Sequence, residues 1–244
     1  MKKYVSLWMI LPVLALVLAA CNGETPAPEM TTTATTQSQQ SMVLPPPNLD
    51  GDMSVEQALA QRRSRRDFQD KELTLAQLSQ MLWAAYGITQ PSDNPNLRGG
   101  LRTAPSAGAT FPLEIYVVVG FVQGIEPGVY RYIPAGHTLV RVVDGDMRAA
   151  LAEAAVGQRM VAQAPASIFY TAVFERTTDV YGSRGRMYVY MEIGHSAQNV
   201  YLQAQAMGLG TCAIGAFDDD RVRQLLQLPG DETPLYLMPF GYVG

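Results

Sequence analysis

Four of the five positions 62–66 are arginine, in the run Arg62-Arg63-Ser64-Arg65-Arg66, with Asp67 and Phe68 behind it. A guanidinium is a planar fork that holds phosphate or carboxylate through paired N–H donors, and a serine hydroxyl adds one more donor. The run therefore suits a phosphate group held in a pocket, although a solvated basic turn would use the same residues. A nucleic-acid surface is the third option, and charge argues against it. The whole chain carries a formal charge of −4. Loss of residues 1–20 would lower Lys plus Arg from 18 to 16 against 22 acids, leaving −6. Nucleic-acid binding rests on net neutralisation of phosphates.

A second stretch with chemical potential runs Arg102-Thr103-Ala104-Pro105-Ser106-Ala107-Gly108-Ala109-Thr110-Phe111-Pro112. Small side chains between two prolines let main-chain amides approach a flat ring closely. Side-chain catalysis is otherwise thinly provisioned: there is no GxxxxGK[ST], GxSxG, HExxH or paired CxxC. His137 and His195 are the only histidines, which excludes a multi-histidine metal site, and no metal is expected. Gly208-x-Gly210 with Gly215 follows a helix instead of a strand, so it fails as a dinucleotide fingerprint. A bound cofactor that carries the difficult chemistry fits this inventory.

These residues need elements to position them. Ser54 with Gln57 and Thr74 with Gln77 are capping boxes, predicting helices from 54 to about 62 and from 74 to 87. Residues 91–105 read as a loop. Strands are expected at 114–120, 128–132, 138–143, 166–174 and 235–242, and a short helix at 147–155. Residues 186–207 form the longest helical pattern, apolar or small all round and so expected to be buried on most sides. Asp218-Asp219-Asp220 opens a last helix, with acids at its positive dipole end. The order predicts an α+β sheet with helices packed over it and argues against a Rossmann alternation.

Upstream, Lys2 and Lys3 precede an apolar run and then Leu18-Ala19-Ala20-Cys21, the layout of a secretory signal. The last four residues resemble the bacterial lipobox, which implies lipidation of Cys21. Residues 1–20 are then a lipoprotein signal peptide, 21–52 a flexible tether, and 53–244 the folded domain. The expected location is the bacterial cell envelope, outside the cytoplasm, with the lipid anchor as the only membrane contact. Cys212 is the one remaining thiol and reads as a small buried hydrophobe.

The run RRSRRDF after a first helix, PSAGATFPLEIYVV, and EIGHSAQNVYLQAQAMGLGTCAIGAF, in that order, resemble the FMN-dependent nitroreductase family over residues 54–244. More narrowly they are similar to its SagB-type branch, the azoline-oxidising dehydrogenases. The resemblance implies a mixed β-sheet flanked by helices, an intertwined homodimer, and FMN at the subunit interface. It places Arg62, Arg63 and Ser64 on the phosphate and ribityl chain, Arg66 on the pyrimidine edge, and Arg65 in solvent. Pro105, Ser106, Ala107 and Gly108 would line the isoalloxazine, and Ala213, Ile214, Gly215 and Ala216 would pass near flavin N5. Glu192, Gly194, His195, Gln198 and Asn199 match the helical signature, with a structural role expected for Glu192 and His195. Tyr181, Tyr188 and Tyr190 are expected in the core.

Two features depart from the family. The chain ends Phe240-Gly241-Tyr242-Val243-Gly244, where many relatives carry a basic residue for the phosphate, so Arg102 or a partner-chain group is expected to help. An exported enzyme also lacks the cytoplasmic partners of azoline oxidases. The implied activity is hydride transfer through flavin N5 between NAD(P)H or another reductant and a small organic substrate. The alternative is a non-enzymatic flavin- or solute-binding envelope lipoprotein.

Overall fold

The computed structural model describes residues 41–244; the expected signal peptide and lipidated Cys21 fall outside them. β1 (Ser41–Val43) is followed by α1 (Val55–Gln61) and α2 (Leu75–Tyr86), then by β2 (Ile88–Pro91) and β3 (Gly100–Arg102). β4 (Leu113–Val119), β5 (Gly128–Ile133) and β6 (Thr138–Asp144) form a meander, succeeded by α3 (Arg148–Ala154), α4 (Arg159–Gln163) and β7 (Ala166–Ala172). α5 (Glu175–Tyr181), the long α6 (Gly185–Ala206), β8 (Leu209–Thr211), α7 (Asp219–Leu225) and β9 (Thr233–Tyr242) complete the chain.

Seven strands make one sheet in the order β1-β6-β5-β4-β7-β9-β8, and β2 pairs with β3 as a separate ribbon. Named strands pair antiparallel throughout; parallel geometry is confined to two isolated bridges, Ser64 with Thr211 and Leu73 with Val122. The central strands β4 and β7 are buried at every residue, which explains their unbroken apolar sequence. Alternation then sorts the side chains. Ile115 and Val117 join Ile168, Leu78, Leu82 and Val200 on the α2/α6 face. Tyr116 and Val118 join Phe169, Leu151, Val222 and Leu226 on the α3/α7 face.

Both capping boxes form as expected, with Ser54 Oγ accepting from Gln57 N–H at 3.1 Å and Thr74 Oγ1 from Gln77 N–H at 3.2 Å. Four expectations change. Of the tether, residues 41–52 belong at least in part to the fold: β1 pairs with β6, Leu44 is buried, and the Asn48 N–H donates to Gln80 Oε1 at 2.8 Å. The expected loop at 91–105 contains β3, which folds back on β2 just before it as a short antiparallel ribbon. α5 follows directly after the expected strand 166–174, in a stretch for which no element was expected. Last, α6 is buried on one face only. Val189, Ile193, Ala197 and Val200 face the core, whereas Met187, Tyr190, Met191, Gly194 and His195 are exposed.

Candidate functional site

The arginine run leaves α1 at Arg62 in extended conformation and lies along the sheet edge. Ser64 bridges Thr211 of β8, Arg65 N–H donates to Thr211 O at 2.9 Å, and Gln69 N–H donates to Tyr242 O at 2.9 Å. Gly210 permits this approach: a Cβ there would sit 2.7 Å from Arg65 Cβ and 2.4 Å from Val243 Cγ1. Tyr201 on α6 ties the pieces together. Its hydroxyl lies 3.0 Å from Ser64 Oγ and accepts from Ala213 N–H at 2.9 Å, and the Arg62 guanidinium sits 5.4 Å from its ring centroid. The segment 213–216 is held in turn by reciprocal 2.9 Å backbone bonds between Ile214 and Leu237, and by Gln158 Nε2 donating to Ala216 O at 3.2 Å.

Ser64 and Ala213 are thus brought together through the Tyr201 hydroxyl. Among the described residues no carboxylate pairs with Arg62, Arg63, Arg65 or Arg66. Arg63, Arg65 and Arg66 are exposed, and Arg63 donates only to the carbonyls of Ala60 and Arg62. Burial pushes the Cys212 thiol up while the nearby Arg66 charge pulls it down, so Cys212 is a protonated, fully buried hydrophobe as expected. The donor set fits a phosphate-bearing group: guanidiniums without a carboxylate partner among the described residues, and one hydroxyl, on the β8 edge.

The residues 105–108 are placed against another flank of α6. Asn199 Nδ2 donates to Thr103 O at 3.1 Å, and Ser106 Oγ accepts from Phe111 N–H at 2.9 Å. Gly108, at φ 59°, takes a left-handed turn so tightly packed that a Cβ would lie 2.5 Å from the Tyr181 hydroxyl. Glu192 is buried and accepts from the Tyr86 hydroxyl. Burial lifts its pKa to about 7 against the pull of Ser106, Tyr86 and Arg102, so near neutrality this carboxyl can hold or release a proton. Burial and the Glu192 charge push the Tyr86 phenol up, which keeps it a donor.

An α-helix turns about 100° per residue. Glu192 and Asn199, two turns apart, share one flank, and Tyr201 lies about 200° beyond Asn199, on the opposite one. The exposed stripe with Met187, Met191 and His195 runs between them. In one chain the Arg62–Ser64 segment and residues 105–108 therefore border α6 from different sides. A hollow of about 380 Å³ beside α1, α2 and α6 includes Thr103 and Asn199 but none of the arginine run.

Several expected placements change. Arg102 does not join the phosphate donors; it lies over Phe111 and Tyr86 at 4.8 and 5.4 Å and donates to the carbonyls of Gly100 and Arg98. Glu192 is buried in the chain whereas His195 is exposed. Tyr181 and Tyr190 are 37% and 50% exposed, not core, because α5 and the open face of α6 carry them. Tyr201, Tyr86 and Thr211 were not singled out as site residues. Tyr201 sits inside the quoted helical signature, but only the fold shows its hydroxyl between two distant segments.

The family described as "Nitroreductase family" matches residues 59–242. A Methanocaldococcus jannaschii protein and a crystal structure from Ralstonia eutropha JMP134 are both named "putative nitroreductase". The first is 49% identical over 190 residues, 78% of this chain and 91% of that protein. The second is 29% identical with a TM-score of 0.70, covering 85% of this chain and 91% of the other. The microcin B17-processing protein McbC of Escherichia coli is 25% identical over 184 residues, 72% of this chain and 65% of that protein.

Proposed function

This chain belongs to the nitroreductase family, and we propose that it is an FMN-dependent oxidoreductase acting on a small organic substrate. One observation carries the reading: four guanidiniums without a carboxylate partner among the described residues lie on a rigid sheet edge, joined through Ser64 and Tyr201 to Ala213. In this reading Arg62, Arg63 and Ser64 hold the FMN phosphate and ribityl chain, and Arg66 faces the pyrimidine edge. Pro105, Ser106, Ala107 and Gly108 flank the ring, with Ala213, Ile214, Gly215 and Ala216 beside N5. When bound, FMN supplies hydride transfer at N5 between a reduced donor, NAD(P)H or another reductant, and the acceptor. The protein's share is to orient the ring, exclude water and place positive charge at the pyrimidine edge.

The two half-sites on opposite flanks of α6 support a homodimer. A two-fold axis along the exposed stripe of Met187, Met191 and His195 would bring the arginine segment of one copy toward residues 105–108 of the other. Similarity to McbC and the shared motifs support a SagB-type dehydrogenase as the finer class. The N-terminal residues support an exported, lipid-anchored protein carrying its lipid on Cys21.

Anaerobic mixing of the FMN-loaded full-length chain with NADH or NADPH, followed by a nitroaromatic or quinone acceptor, tests the activity. Bleaching of the flavin spectrum by the donor and recovery on addition of acceptor are the expected results. A flavin that is bound yet never reduced would instead favour a flavin-binding lipoprotein.

A further inference from the structure

We propose that the hollow between the β2–β3 ribbon, the Phe111 turn and the β5–β6 hairpin is a second anion site, which takes the carboxylate or phosphate group of a small molecule on Arg98. The hollow measures about 210 Å³ and is lined by Arg98, Arg102, Arg131, Arg176, Glu114 and Tyr86, among others. A water molecule occupies about 30 Å³ of liquid, so the space admits a compact oxyanion and excludes a flavin.

Charge in the hollow is not balanced. Glu114 is already satisfied by Arg176 Nη2 at 2.6 Å and Arg131 Nη2 at 2.8 Å, one on each oxygen. These arginines hold the Glu114 carboxyl below its ordinary range against the cost of burial. Arg98 reaches it only at 3.7 Å, and its guanidinium has no hydrogen bond among the described residues. Arg102 gives two bonds to backbone carbonyls and keeps a buried Nε without a partner. Glu232 lies 3.7 Å from Arg131, and Glu192 sits behind Tyr86 within reach of the Arg102 charge; burial raises the pKa of both. Four guanidiniums thus line the hollow while Glu114 is the carboxylate in ion-pair contact with three of them.

The backbone around this space is also strained. Arg98 and Phe111 hold φ of 48° and 45°, a left-handed conformation that costs a bulky residue free energy. Such strain persists where the surroundings fix it, and it concentrates at ligand sites. Two arginines suffice to hold Glu114; the strained presentation of a third, without a full counter-charge, is what an incoming anion would use.

Calorimetric titration of the FMN-loaded full-length chain with inorganic phosphate and with succinate, against chloride at equal ionic strength, tests the site. At least one oxyanion should bind beyond chloride, and whichever binds tighter assigns the group as phosphate or carboxylate. Arg98→Gln should weaken that binding about 10-fold or more, the value of a lost charge-assisted pair, and Arg98→Lys should weaken it less. Arg65→Gln, on the exposed run but outside the flavin contacts, should leave it within about 2-fold. Absence of binding beyond chloride, unchanged affinity in Arg98→Gln, or loss of binding in Arg65→Gln would each overturn the proposal. The last result would place the anion on the exposed arginine run.

Discussion

Two arginine-rich regions of this molecule use one side chain in opposite ways. Around Glu114, Arg131 and Arg176 are part-buried, drawn from β5 and α5, and locked by short ion pairs to a carboxylate on β4. Along residues 62–66 the arginines are adjacent in sequence, open to solvent and without a carboxylate partner among the described residues. The first arrangement is paired where water is scarce, so removing a partner strands charge. The second is solvated, so it costs the fold little and is available to a ligand. Density of charge in the sequence therefore marks the flavin-binding segment, and the short ion pairs of Arg131 and Arg176 to Glu114 mark structural arginines, with Arg98 beside them left for an anion.

That contrast can be broken most forcefully at its centre. Glu114→Ala should lower the unfolding free energy by about 3–5 kcal/mol, because three guanidiniums lose their common counter-ion; equilibrium denaturation measures it. A loss within about 0.5 kcal/mol, the range of an ordinary surface change, would erase the distinction.

The two buried carboxyls sharpen it through pH. Glu114, with its pKa held low, stabilises the fold above the ordinary carboxyl range and loses that contribution as pH falls through its folded pKa. Glu192 has no arginine bonded to it, and burial raises its pKa from 4.5 to about 7. Its contribution is complete below pH 4.5 and is lost as pH rises to about 7, on the order of 3 kcal/mol. Glu192→Gln should flatten this slope and raise Tm at pH 8 above wild type; a variant as pH-sensitive as wild type would contradict the assignment.

Next in size is Arg63→Ala, which should leave stability within about 0.5 kcal/mol while weakening FMN by about 1.5–3 kcal/mol. Gly210→Ala tests the edge that carries the run: the added methyl meets Arg65 Cβ and should cost about 1–3 kcal/mol of stability with a fall in FMN affinity. Arg65→Ala should be the mildest, changing FMN affinity less than about 2-fold, since its side chain is exposed on the β8 edge.

What could be read from the sequence follows the range of the forces involved. The capping boxes at Ser54 and Thr74 and the runs of β4 and β7 are local, and the fold carries them where expected. The β2–β3 ribbon escaped because it is short, irregular in register and set among glycine, proline and asparagine, which read as loop. The polarity of α6 was misread because an exposed apolar stripe looks like core when only composition is seen. Ser64 and Ala213 were legible as motif positions, but Tyr201 between them was not, because its significance lies in geometry across more than a hundred residues. Glu114 was invisible for the same reason: its partners come from β2–β3, β5 and α5.

Flavin retention tests the central claim most directly. The full-length chain in detergent is saturated with FMN, gel-filtered, and its visible spectrum compared with that of the Arg62→Ala/Arg63→Ala double variant. Wild type is expected to keep one flavin per chain and the folded double variant to lose it. A colourless wild type, or equal retention in both, would contradict the account.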